Sequence, residues 1–139
     1  MNAVSPMLAH EILRARLAAQ WAAVRAAPTR TAEREAKQQF RWLRWAAVFV
    51  LRLRGHSQEW IALRLRIDKK SVAYGMQTAA RLANDDPEFH ALLSALAKET
   101  RHCPGNVPGK PVPEDRALRE WRAVLTAIAA IFFAMFTRS

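Results

Sequence analysis

The chain has 139 residues, 51% of them hydrophobic, and a formal net charge of +10. That apolar fraction excludes disorder throughout, and the single cysteine, Cys103, excludes an internal disulfide and a thiolate-rich metal site. The excess charge selects polyanions as partners: nucleic acid, an anionic membrane surface or an acidic protein.

The charge is uneven. Residues 1–54 hold ten Lys/Arg against three Asp/Glu, whereas residues 55–101 hold seven against six. Abundant Ala, Leu and Arg with only four glycines favour helix, because those side chains lose little freedom in one. No alternating strand pattern of useful length is present, so the expected fold is all-α.

In chain order, residues 1–30 read as an N-terminal helix with Ser5 as its cap and Pro6 in its first turn. Leu13, Leu17, Trp21 and Val24 share one side of it. His10, Glu11, Arg14 and Arg16 interrupt this stretch, which therefore lacks the apolar core of a secretory signal. "PTRT", residues 28–31, breaks the pattern, and Thr31 is expected to cap a long helix over residues 32–54.

In that helix Ala36, Phe40, Leu43, Ala47, Val50 and Leu51 form the apolar face. Arg34, Lys37, Arg41, Arg44 and Arg52 fall within roughly 80° of one another on the other side. A solvated helix face more often mixes signs, so this stripe is expected to meet phosphates.

Gly55 should end the helix. Ser57 should cap a third, with Trp60, Ile61 and Leu65 facing inward. A fourth starts near Asp68 and runs to about Asn84, burying Val72, Met76, Ala79, Ala80 and Leu82. "NDDP" closes it, and a fifth helix over about 86–101 carries Phe89, Leu92, Leu93 and Leu96.

Two short helices joined by a tight turn, the second amphipathic, describe a helix-turn-helix. Lys69 and Lys70 stand at the start of the second helix, where the macrodipole favours carboxylates. An outside anion would compensate, and a DNA backbone supplies one. Lys69, Lys70, Ser71, Tyr74 and Gln77 are the expected base-reading set; Gln can bond adenine bidentately and Ser can bond several bases. Arg64 and Arg66 join the stripe as phosphate contacts.

The region 32–101 resembles the C-terminal DNA-binding domain of the bacterial replication initiator DnaA. "GHSQEWIA", residues 55–62, is similar to that family's "HSL-x-E-I-G" segment; "IDKKSV", residues 67–72, to its "R-D-H-T-T-V" signature; and "ARLANDDPEF", residues 80–89, to its exit. The resemblance places Asp68 on the signature aspartate, Lys69 on its histidine, Lys70 and Ser71 on its two threonines and Val72 on its buried valine. It implies a helix-turn-helix bundle that reads duplex DNA. Ile67 stands in place of the signature arginine, the lysines replace the base-reading pair, and the glycine-containing turn is one residue shorter. Sigma factors and response regulators contain helix-turn-helix segments that also resemble "GHSQEWIA".

The family's ATP-driven assembly is not implied. "GNVPGK", residues 105–110, fails as a phosphate loop, because its glycines are too close and Pro111 replaces the magnesium-binding hydroxyl. The four histidines pair with no second ligand at helical spacing, and no nucleophile–base arrangement is legible. No enzyme, cofactor or metal is expected.

Residues 102–113 read as a Pro/Gly-rich linker and 114–139 as a separate hydrophobic C-terminal helix. From Ala123 to Thr137 there is no charge. As a helix that run extends about 22 Å, short of a bilayer core of about 30 Å. Packing on the domain or pairing in a homodimer is put ahead of membrane anchoring through 121–137. The function expected is a cytoplasmic, nucleoid-associated DNA-binding protein, a transcriptional regulator or replication accessory without ATPase activity. The alternative is a membrane-tethered or helical interaction protein whose basic face meets anionic lipid or an acidic partner, an inner-membrane tether being made through the C-terminal helix.

Overall fold

A computed structural model describes residues 7–103, and every regular element among them is an α-helix: α1 (Ala9–Arg25), α2 (Arg30–Leu53), α3 (Gln58–Leu65), α4 (Lys69–Asp85) and α5 (Pro87–Thr100). The expected all-α class is what is found. Ser5, Pro6, the expected linker beyond Cys103 and the expected C-terminal helix lie outside the described residues.

α2 is the central element, with α1, α3, α4 and α5 all packed against it. Its burial changes along its length. The first four turns expose one side, whereas Ala46 to Arg52 are buried without a break. Around them gather Leu13 of α1, Ile61 of α3, Val72 and Met76 of α4, and Phe89 and Leu93 of α5.

The helix ends follow local chemistry. Met7 and Leu8 are not helical, so α1 starts at Ala9 with Leu8 as a cap that offers no side-chain acceptor. α2 begins two residues before the expected place. Thr29, the first hydroxyl after Pro28, accepts a hydrogen bond from the Ala32 N–H at 3.1 Å, leaving Thr31 inside the helix. At the other end Gly55 takes φ 96°, and the paired bonds His56 N–H to Leu51 O and Gly55 N–H to Arg52 O close a Schellman motif. Ser57 Oγ accepts from Trp60 N–H at 3.1 Å, and Asp86 Oδ1 accepts from Glu88 and Phe89 N–H ahead of Pro87 in the first turn of α5.

Two contacts set the spacing of the bundle. A Cβ on Gly75 would stand 3.2 Å from Trp45 Cδ1, so its lack of a side chain lets α4 close on α2. Arg54 donates to the carbonyls of Thr100 at 2.9 Å and Cys103 at 2.6 Å, bringing a guanidinium to the negative end of α5.

Candidate nucleic-acid interface

α3 and α4 are separated by three residues, Arg66 to Asp68. So short a connection needs a sharp reversal, and Arg66 provides it in the left-handed region at φ 57°, ψ 47°. The Ile67 N–H bonds back to Ala62 O at 3.0 Å, and the Ile67 side chain packs on the core. Asp68 is the N-cap of α4, although its carboxylate bonds Ser71 Oγ at 3.4 Å rather than a backbone N–H.

A left-handed arginine costs roughly 1–2 kcal/mol that glycine would not incur. Arg66→Gly is therefore expected to raise stability by about 0.5–1 kcal/mol, after the greater freedom of glycine in the unfolded chain is offset. If Arg66 holds a phosphate, as the sequence leads one to expect, the same change also weakens DNA binding. A urea midpoint and a shift assay on one preparation check both signs.

On α4 the expected reading residues divide. Lys69, Lys70, Tyr74 and Gln77 are exposed, and Ser71 is half-buried with its hydroxyl turned to Asp68. Lys70, Tyr74 and Gln77 lie within roughly 60° on the helix circumference. Arg81 and Asn84, both exposed, continue that stripe. Neither belonged to the expected set, though their spacings of eleven and fourteen residues from Lys70, after four and seven for Tyr74 and Gln77, carry the signal.

A compensating anion at Lys69 comes from within the chain. Lys69 Nζ lies 3.0 Å from Glu59 Oε1 of α3, with the two side chains 62% and 75% exposed. Such a pair is weak and open to exchange. Lys70 has no ion-pair or hydrogen-bond partner among the described residues.

The arginine stripe of α2 needs one correction. Arg34, Lys37 and Arg41 are exposed and Arg44 is half-buried, but Arg52 is only 2% exposed, with Nη1 donating to His56 O at 2.8 Å. α3, α4 and α5 all pack on α2, and Ala46 to Arg52 are buried without a break, so a position opposite the apolar face is interior there. Arg52 is structural and leaves the phosphate-facing set.

The stripe is not free of carboxylates either, since Lys37 pairs with Glu33 at 3.0 Å. Its junction with α4 is aromatic: Trp45 meets Tyr74 at 6.0 Å and 66°. Arg41 lies one turn before Trp45 on the same side of the helix, and Arg44 immediately precedes it in sequence. Arg34 lies about 16 Å farther along the axis, on a helical rise of 1.5 Å per residue.

Arg64 and Arg66 are exposed at the end of α3 and in the turn. Arg64 lies 5.3 Å over the Trp60 ring, and His56 stacks on Trp60 at 3.8 Å and 9°. His10 of α1 meets the same indole edge-on at 5.3 Å. Burial, and next the Arg64 charge, hold the His10 pKa below its ordinary 6.5.

The unfolded chain thus binds a proton near pH 6.5 that the folded chain refuses until lower pH. The neutral ring contributes its full stability above pH 6.5. Stability falls as pH drops from 6.5 toward the depressed value. His10→Gln is expected to flatten that part of the stability–pH curve, as read from denaturant midpoints at pH 7.5 and 5.5.

No protein family matches the chain, no curated protein matches it in sequence, and no solved structure matches it. The likeness to the initiator's DNA-binding domain therefore rests on the residues quoted above.

Proposed function

We propose that this chain binds duplex DNA through α4, acting as a transcriptional regulator or replication accessory without ATPase activity. One observation carries the reading: the N-terminal end of α4 points Lys69, Lys70, Tyr74 and Gln77 outward, with no described segment covering them. Cations at the positive end of a helix disfavour the isolated fold and favour an anionic partner. In a helix-turn-helix that end enters the major groove.

Lys70, Tyr74 and Gln77 would meet base edges, with Lys69 at the rim beside Glu59. Arg64 and Arg66 flank the turn and would hold phosphates, as would Arg41 and Arg44 beside Trp45. Lys37 and Arg34 extend the positive field farther along α2. Tyr74, 58% exposed, offers an apolar ring edge to a thymine methyl and a hydroxyl to a neighbouring acceptor.

Selection of bound sequences from a random duplex pool tests the reading, followed by titration of the winner against salt. An enriched motif is expected, with log K falling against log salt at a slope steeper than about −3. That slope corresponds to at least about three neutralised phosphates at roughly −0.9 each. No enrichment together with a slope near −1 would remove DNA as the partner. Equal or tighter capture by anionic vesicles would favour a lipid surface instead.

A further inference from the structure

On the side away from α4, helices α1, α2 and α5 leave an open groove of about 490 Å³. Ala19, Trp42, Leu43, Leu92, Ala95 and Leu96 form its apolar lining, and the Arg16–Glu99 ion pair at 2.9 Å joins α1 to α5 among its polar residues. Trp42 and Leu92 are only half-buried there, although both pack on the core. The space accepts several large side chains from one helix face, the mode in which an amphipathic helix sets anchors at i, i+3, i+4 and i+7 into a groove.

We propose that residues 121–137 of this same chain fill that groove. The described chain stops at Cys103, held by Arg54 against the last turn of α5, and α5 forms one wall of the groove. Thirty-six residues follow. Residues 104–120 can span up to about 55 Å at the extended limit, against about 21 Å for the whole of α5. The segment therefore reaches any part of the groove.

Its composition fits. Ile128, Ile131, Phe132 and Met135 recur at the anchor spacing, and no charge falls between Arg122 and Arg138. Running antiparallel to α5, the segment brings Arg138 toward Glu88, a groove residue with no cation partner among the described residues. Burying this apolar run against the domain answers the exposure that would otherwise drive association. No residue of α3 or α4 lines the groove, so the α4 face stays open when it is filled.

The test uses the full chain with Cys103→Ser and one nitroxide label on Gln39→Cys at the groove rim. Methyl signals of Ile128 and Ile131, assigned by Ile→Val substitution, are expected to broaden in dilute, uniformly labelled protein. Adding Ala95→Arg should restore them while the Ile61 methyl keeps its folded position. A second label at Ala91→Cys should reproduce the result. Unbroadened Ile128 and Ile131 overturn the proposal. So does broadening that depends on mixing labelled with unlabelled chains, which assigns the segment to a second copy. Broadening abolished by anionic vesicles, with the segment pelleting alongside them, overturns it in favour of a membrane.

Discussion

Alanine at both Lys69 and Lys70 is expected to weaken binding to the selected duplex by at least about thirtyfold, two contacts at the lower end of about 1–3 kcal/mol each. The salt slope should become shallower by about 2, one for each cation withdrawn. The loss should exceed what Lys70 alone gives. Removing Lys69 frees the Glu59 carboxylate, 75% exposed at the same rim, to repel phosphate.

The fold should not suffer. Two cations leave the positive end of α4, each a gain of about 0.3–1 kcal/mol, while one exposed pair worth about 0–1 kcal/mol is lost. Affinity down with the thermal midpoint level or raised is a signature that misfolding cannot mimic. Unchanged affinity in a shift assay would remove α4 as the reading helix.

Phe89→Ala should cost about 3–5 kcal/mol, the range for emptying a buried aromatic site. Phe89 is fully buried and meets Trp42 edge-on at 5.6 Å and 87°, so a directional ring contact of about 0.5–1.5 kcal/mol goes with the volume. On a total of about 5–15 kcal/mol this is a large fraction. For a domain of this size the midpoint should fall by at least about 12 °C, at about 4–8 °C per kcal/mol.

The same variant tests whether α5 belongs to the core or is an appendage. α5 and buried residues of α2 and α4 share one core, so helix content and tryptophan emission should change in one coincident transition. An early partial loss of helix content and of tryptophan emission, with the remaining helices melting later, would show α5 to be a separate unit. Phe89→Leu, which keeps most of the volume, should recover more than half of the stability.

The helices were legible one by one because each is specified locally. Ser57 and Asp86 act as caps through their own side-chain oxygens, and Gly55 stops α2 because it tolerates φ 96°. The displaced cap at Thr29 shows the grain of such reading: Thr29 and Thr31 offer the same hydroxyl, and only the geometry of the first turn chooses. The exposed lysines of α4 were legible too, from their contrast with the macrodipole.

What stayed hidden depends on residues distant in sequence. Arg52 carries the periodicity of a surface stripe and is interior, because three further helices close over that part of α2. Arg54, outside any expected site, ties α2 to the end of α5. Glu59 and Lys69, ten residues apart on different helices, become an ion pair only once the Arg66 turn sets α3 against α4.

By itself, then, the sequence determined the all-helical class, the order of the helices and the cationic start of α4. Each of these follows from propensity, capping and period, which act within one or two turns. Only the tertiary structure decided which arginines are surface and which are interior, that a carboxylate faces Lys69, and that α1, α2 and α5 leave an apolar groove. Those are outcomes of which helix faces meet. A period along one helix fixes the direction of a side chain but not what stands opposite it.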